Sequence, residues 1–560
     1  MTQSITERLS QAVVTALAEA GLPAPEGYVW EVPRQAEHGD YATNAAMVLA
    51  KAARRSPRQI ADLIVQHFPT LPEVERLEVA GPGFLNVTLS AEWCAAALRE
   101  ILTAGSAYGR GVSQQGQRIR LEFVSANPTG PLVIVNARAA AVGDSLARLL
   151  RAQGARVTTD YYVNDAGTQF EALARSFEAR VRQLLGEEAA LPDNGYPGEY
   201  LVELAQEYVR EFGLRTPADL TRHLGQAGHD AHLATLGRYA VDRIVAGQRR
   251  IMADYGVQFD EWTSEMAAVR QRGLPERVID DLRRRGVVYC SEGATWLRST
   301  EFGDDKDRVL IRSNGELTYF AVDVANHHYV KFAEADRVIN LLGPDHHGYV
   351  GRLRAALEAL GHSRQAFDVL IVQLVTLLRD GQPMRMSKRR GEFVLMEELL
   401  EEVGRDAARF TFLTRRHDSP LEFDLAVATR QSAENPVYYV QYAHARIRSV
   451  WKQVSEQGIT VPPWPEVDLR ALALPEEIAL MKRLAQYPEL VAGAARALEP
   501  HRVAYWLGEL AGLFHPYYKA HRIIQPDLQL LLARLALCTA IGQVLANGLD
   551  LLGVSAPESM

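Results

Sequence analysis

Two short segments hold the residue types that phosphate chemistry requires. Ser125-Ala126-Asn127-Pro128-Thr129-Gly130-Pro131 joins a strand-like run to a helix-like one. At such a junction, unpaired backbone N–H groups and the helix dipole favour an anion. A plain Pro/Gly turn fits the same spacing equally well. Arg385-Met386-Ser387-Lys388-Arg389-Arg390-Gly391 follows an Asp380-Gly381 turn and sets four cations beside a glycine. A basic loop of this kind can neutralise a triphosphate under attack at its α-phosphorus; a solvated surface loop is the alternative. A third segment, Gly343-Pro344-Asp345-His346-His347-Gly348, follows an apolar run. Its Asp-His-His has no further ligand at metal-site spacing, so neither zinc nor another fixed metal is expected.

The elements that must position these segments follow from periodicity. Ile119, Leu121 and Phe123 alternate with polar residues, which predicts a strand. A helix follows with Val142, Leu146, Leu149 and Leu150 among its apolar positions, then a second strand over 157–163. Strand, loop, helix, strand opens a nucleotide-binding α/β fold. Residues 168 to about 265 read as helical, broken at Pro192-Asp193-Asn194-Gly195, and so as an insertion. Sheet-like runs return at 338–342 and 369–372.

On either side the pattern changes. Ser4 and Glu7 have capping-box spacing, and Leu9, Ala12, Val13, Ala16 and Leu17 then share one helical face. Residues 47–68 read as helical, and 77–89 as strand around Gly81-Pro82-Gly83, so 1–108 is a small α/β module. From Leu421 onward the chain reads as almost entirely helical, except around Pro462-Pro463-Trp464-Pro465. The expected domains are therefore 1–108, 109–420 and 421–560.

Bulk properties narrow the class. At 560 residues the chain exceeds one ordinary core. Its 47% hydrophobic and 23% charged residues match a soluble globular protein. Glu7 and Arg8 interrupt any apolar leader, and Arg534, Gln543, Asn547 and Asp550 break the most apolar stretch. Cys94, Cys290 and Cys538 form no CxxC pair, which fits a reducing, cytoplasmic setting. A net charge of −8 argues against a nucleic-acid partner only weakly, because a local basic surface can coexist with it.

Together the first two segments resemble those of class I aminoacyl-tRNA synthetases. Four blocks, 122–131, 160–169 (DYYVNDAGTQ), 296–323 and 435–446 (NPVYYVQYAHAR), are similar to the arginyl-tRNA synthetase family in particular. The resemblance runs from the N-terminal module to Met560. It implies an α/β fold: a Rossmann-like parallel-sheet catalytic domain with insertions, a small N-terminal α/β domain touching the tRNA D-arm, and an all-α helical bundle that binds the anticodon. It implies ATP-dependent ligation of L-arginine to tRNA(Arg) through arginyl-adenylate, with Mg2+ accompanying the ATP. A cytoplasmic monomer with no membrane partner is expected.

Residue by residue, the family pattern puts Glu122, Ser125, Asn127, Tyr319 and Asp323 at arginine. Tyr319 and Asp323 would face the guanidinium, and Glu122 and Asn127 the α-amino and carboxylate end. Pro131, Val133, Asn136, Gly343, Asp345, His346, Met386 and Lys388 fall at ATP, and Lys388, Asn136, Ser387 and Arg385 at the chemical step. Phe84 and Asn86 fall at the D-arm; Tyr442, Arg446, Tyr518 and Met560 fall at the anticodon. One departure stands out. Where the family has His-x-Gly-His, this chain has Val133-Ile134-Val135-Asn136, and Val133 cannot donate to a phosphate. Arg385 also replaces the first lysine of the basic loop. A non-catalytic RNA-binding relative is the alternative this departure suggests; the Glu122, Tyr319 and Asp323 set argues against a synthetase for an apolar amino acid.

Overall fold

The computed structural model describes residues 5–33, 35–226, 228–384 and 394–560. The first helix, Ile5–Glu19, buries the expected stripe of Leu9, Ala12, Val13, Ala16 and Leu17; its expected cap, Ser4, lies outside the described residues. Helices Ala45–Ala53 and Pro57–His67 pack on a four-stranded antiparallel sheet. Strands Val74–Ala80 and Phe84–Leu89 form its hairpin. The turn between them needs Gly83: its φ is 139°, and an added Cβ would lie 2.7 Å from the carbonyl carbon of Pro57.

The central domain is built on a five-stranded parallel sheet. Its strands are β1 (Arg118–Glu122), β2 (Arg156–Val163), β3 (Glu261–Ser264), β4 (Arg337–Leu342) and β5 (Phe367–Ile371), in spatial order β5-β4-β1-β2-β3. Helix α1 (Ile134–Ala152) makes the crossover from β1 to β2. The chain then returns to the opposite side of β1 for β4 and β5. The switch point lies between β1 and β4, where open α/β sheets leave a crevice beyond the carboxyl ends of the strands.

Helices α2 (Gly167–Leu184) and α3 (His229–Asp254), with Glu199–Glu211 and Pro217–Leu224, form the insertion around Leu173, Phe177, Leu201, Tyr208 and Leu236. The expected helical stretch ends at Asp254, because Glu261–Ser264 is a sheet strand. Four residues without an apolar alternation leave no local strand signal. A further three-stranded antiparallel sheet, Val288–Ser291, Ala294–Leu297 and Arg308–Ile311, precedes helix α4 (Tyr319–Asn326). Leu421–Asp424 also differs from the helical reading, since it pairs in parallel with Val375–Arg379.

Helix α5 (Arg405–Phe412) leads into the C-terminal bundle of α6 (Pro436–Glu456), Pro475–Ala485, Tyr487–Ala497, α7 (His501–Ala520) and α8 (Leu528–Leu551). By length and composition α8 could cross a membrane, but 67% of its most apolar window is buried, and Arg534 on it pairs with the fully buried Glu477 at 2.9 Å. It is the core helix of the bundle. The N-terminal domain docks on this bundle: Thr6 and Tyr41 hydroxyls donate to Glu489 at 2.7 and 2.9 Å, and Lys482 pairs with Asp40 at 2.7 Å. Arg409 of α5 is sealed from solvent between domains. It donates to Asp144 of α1 at 2.5 Å, to the Leu552 carbonyl at 3.0 Å and to the Tyr255 carbonyl at 3.2 Å.

Candidate active site and RNA-binding surfaces

Asn340, Glu122, Asp160 and Glu261 are register partners across β4, β1, β2 and β3. Partners in a parallel ladder project to the same face, so they form one polar row. Glu122 is 7% exposed, Asp160 0% and Asn340 3%. Carboxylates this deep need partners. Arg120, two residues before Glu122 and on the same face, donates to Asp160 at 3.0 Å, Glu261 at 2.5 Å and Thr263 at 3.1 Å. Lys331 pairs with Glu122 and donates to Asn340 at 3.1 Å. Burial pushes the Asp160 carboxyl up, and Arg120 pulls against it.

Helix α4 brings in the second half. Thr318 caps it, accepting from the Ala321 N–H at 3.3 Å. Tyr319 and Asp323 lie four apart and share a face, as their spacing predicts. The Tyr319 ring is 46% exposed, and its hydroxyl meets the Thr168 hydroxyl at 2.7 Å. Asp323 accepts from His327 Nδ1 at 3.1 Å and from the Tyr349 hydroxyl. Burial pushes its carboxyl up, but His327, Lys331 and Tyr349 outweigh burial and hold it below its ordinary range.

Tyr162 on β2 ties the two halves together. Its hydroxyl donates to Glu265 at 3.1 Å; burial pushes its pKa up, and the charges of Glu265, Asp323 and Glu122 push it further. Glu265 accepts from Arg270 at 2.6 Å, and burial pushes its carboxyl up. Tyr162 is thus bonded to Glu265 and feels the charges of Asp323 and Glu122. Sequence reading missed Glu265, Tyr162 and Tyr349. Tyr162 lies inside the block 160–169, whereas Glu265 follows a strand with no local signature.

The loop 123–133 leaves the end of β1 with Val124 and Ser125 at φ 68° and 38°, a left-handed conformation rare for non-glycine residues. The Ser125 hydroxyl accepts from the Tyr162 N–H at 3.0 Å. Gln248 of α3 donates to the Gly130 and Asn127 carbonyls at 3.0 and 3.4 Å, and Tyr200 donates to Thr129, so the insertion holds the loop from outside. Asn127 and Pro131 are exposed. At the start of α1 the Val133 N–H donates to Asn136 Oδ1 at 2.9 Å. Valine has no side-chain acceptor to reciprocate, so only half of a capping box forms, and the Asn136 amide retains its N–H groups as donors.

Asp345 and His346 lie in the 3-10 helix Pro344–Tyr349 after β4, Gly343 lies just before it, and all three are exposed. Arg385, Met386, Ser387 and Lys388 lie outside the described residues. The segment that follows them is stitched to the start of α1: Val133 bridges Leu395, and the Ile134 N–H donates to the Val394 carbonyl at 3.2 Å.

Phe84 is 36% exposed on the N-terminal hairpin, and Asn86 only 9%. In the bundle, Arg446 lies 4.4 Å from the Tyr442 ring centroid and 4.9 Å from that of Tyr518, and donates to the Tyr442 hydroxyl at 3.0 Å. His515, not foreseen, meets Arg446 at 3.1 Å. The C-terminal tail is tied to α6 by His444 against the Pro557 carbonyl at 2.8 Å and by Arg448 against Glu558. By helical spacing both anchors lie on the side of α6 away from Tyr442 and Arg446. Met560 is 53% exposed.

A parallel sheet with its switch point beneath such a loop, an inserted helical domain and a C-terminal helical bundle fit a class I aminoacyl-tRNA synthetase, and the family models place the chain in that class. Residues 97–440 match the model of the class I (R) tRNA synthetase catalytic domain, residues 3–89 that of the arginyl tRNA synthetase N-terminal domain, and residues 440–560 that of the DALR anticodon binding domain. The arginine–tRNA ligase of Symbiobacterium thermophilum is 46% identical over 99% of this chain and 98% of its own length. That of Desulforamulus reducens is 44% identical over the full length of both. The arginyl-tRNA synthetase structure from Thermus thermophilus superposes with a TM-score of 0.76 at 24% identity, covering 99% of this chain and all of that one. The chain belongs to the arginine–tRNA ligase family.

Proposed function

We propose that this ligase seats its substrate arginine over the acidic row at the switch point. Asp323, Glu265 and Tyr319 hold the guanidinium, a planar donor-only cation that needs carboxylate acceptors. Glu122, Ser125 and Asn127 hold the amino-acid end. The observation that carries this reading is the link of Glu122 to Asp323 through Lys331 and His327 at the strand ends, with Glu265 on the neighbouring Tyr162 hydroxyl.

ATP lies over that loop, against Pro131, Val133 and Asn136 on one side and Gly343, Asp345 and His346 on the other, with Mg2+ as its counter-ion. The arginine carboxylate attacks the α-phosphorus and pyrophosphate leaves. The terminal ribose hydroxyl of tRNA(Arg) then attacks the adenylate carbonyl and AMP leaves. No side chain need form a covalent bond; positioning and charge stabilisation suffice. With valine in place of the first phosphate-binding histidine, stabilisation of the leaving pyrophosphate falls to Lys388, supported by Arg385, Ser387, Met386 and the Asn136 amide. Phe84 and Asn86 meet the D-arm, and Tyr442, Arg446, Tyr518 and Met560 the anticodon. The enzyme acts as a cytoplasmic monomer.

The test is aminoacylation by the purified protein with unfractionated tRNA, ATP, Mg2+ and each amino acid in turn. Charging with arginine alone is expected. RNA binding without charging by any amino acid would instead favour a non-catalytic relative, the reading that Val133-Ile134-Val135-Asn136 supports.

A further inference from the structure

Below the pocket lies a group that does not reach it. The Lys331 side chain is 0% exposed. Its ammonium meets Glu122, His327 Nε2 at 2.9 Å and Asn340 Oδ1 at 3.1 Å. An ammonium has three N–H donors, so all are taken by protein and none remains for a substrate.

His327 extends the chain of contacts. Its Nδ1 faces two acceptors, the Asp323 carbonyl at 2.8 Å and carboxylate at 3.1 Å, so this nitrogen carries the proton. Its Nε2 faces two donors, Lys331 Nζ and Asn340 Nδ2 at 2.9 and 2.8 Å, so it accepts. Each link thereby fixes the orientation of the next. Asp323, His327 and Lys331 are spaced four apart where α4 runs on into a π-helical turn, His327–Lys331. Such turns are rare and concentrate at functional sites. Strand register supplies the far end, placing Asn340 beside Glu122 so that one ammonium reaches both.

We propose that Lys331 is a positioning residue that couples the two ends of the arginine pocket through the buried chain Asp323–His327–Lys331–Glu122. The guanidinium end and the amino-acid end are then set together: a change in charge or orientation at one carboxylate is passed through His327 and Lys331 to the other. This rests on the reading of Asp323 and Glu122 as arginine ligands.

The experiment is a double-mutant cycle of Glu122→Gln and Asp323→Asn, read as the KM for arginine in aminoacylation. It is run in the native background and again with Lys331→Met. In the native background, the double variant is expected to depart at least about threefold from the product of the single effects, beyond the scatter seen for independent sites. With Lys331→Met the effects should multiply. His327→Gln, which breaks the chain while leaving the Lys331–Glu122 pair, should abolish the coupling as well and replaces Lys331→Met if that variant does not fold. Simple multiplication in the native background, or coupling that survives both chain-breaking variants, would overturn the proposal. If neither single variant changes the arginine KM, the ligand reading has failed, an outcome distinct from ligands that act independently.

Discussion

Gly143 on α1 lies so close under Phe123 that an added Cβ would sit 2.2 Å from the ring. Phe123 immediately follows Glu122, so this contact sets how near the crossover helix comes to the strand end at the proposed arginine pocket. Gly143→Ala should force the two apart and cost about 1–3 kcal/mol, the usual range for overpacking. It should also raise the arginine KM. Thermal unfolding and steady-state kinetics check both; a variant native in both would mean that the ring moves aside freely.

Asp323→Asn keeps the shape of the side chain and removes its charge. Loss of a charge-assisted bond to guanidinium is worth about 1.5–3 kcal/mol, or roughly 10- to 150-fold in the arginine KM. The KM for ATP should stay within about twofold. An unchanged arginine KM would remove Asp323 from the pocket.

Acid should act through Glu265 before Asp323. Burial raises the Glu265 pKa, so on acidification this group protonates above the ordinary glutamate value of about 4.3. Asp323, held low, stays ionised. The arginine KM should therefore rise as pH falls, and Glu265→Gln should flatten that limb. The stability effects have opposite signs. Glu265 binds its proton more readily when folded, so its contribution grows as pH falls through its raised pKa. Asp323 contributes above the ordinary carboxylate range and loses that contribution only as pH falls through its lowered pKa. A limb unchanged in Glu265→Gln would acquit Glu265.

Tyr442→Ala and Tyr518→Ala should lower kcat/KM for tRNA, each by the about 1–3 kcal/mol typical of a base–aromatic stack, with the arginine KM intact. Deleting the tail is the poorer test of Met560, because it also removes the Pro557 contact with His444 and the Glu558 pair with Arg448. Met560→Ala isolates the side chain. Measurements belong at one fixed salt concentration, since RNA affinity depends on it. Values equal to the parent enzyme would place anticodon contact elsewhere.

Parts of this site were legible in the sequence and others were not, for physical reasons. Tyr319 and Asp323 could be paired because helical spacing alone sets their common face. The first helix and the sequence β1-loop-α1-β2 were legible because local periodicity dictates them. The polar half of β1 was deceptive. Ile119, Leu121 and Phe123 read as the inward face, yet Arg120 and Glu122 on the other face are buried too, at 4% and 7% exposure. What makes that face buried is the register of strands far apart in the chain, Asn340 beside Glu122 beside Asp160. No local pattern encodes that register, and Glu265, placed by the same sheet, was missed for the same cause.

The burial of Arg409 bears on how the molecule comes apart. One guanidinium is held by Asp144 of the crossover helix, by Tyr255 just past the inserted helices and by Leu552 at the close of α8. Pulling the bundle from the catalytic sheet strips this guanidinium of the Leu552 carbonyl and leaves it its pair with Asp144 and its bond to Tyr255. Loss of one hydrogen bond to a charged group typically costs about 1.5–3 kcal/mol. The molecule is therefore poorly suited to modular exchange. A bundle grafted from a relative must also bring a carbonyl to the place of residue 552, and a catalytic half expressed alone would have to satisfy that donor of Arg409 with solvent. Heated, the two should melt as a single cooperative unit, with the anticodon-reading half lending its stability to the half that makes the adenylate.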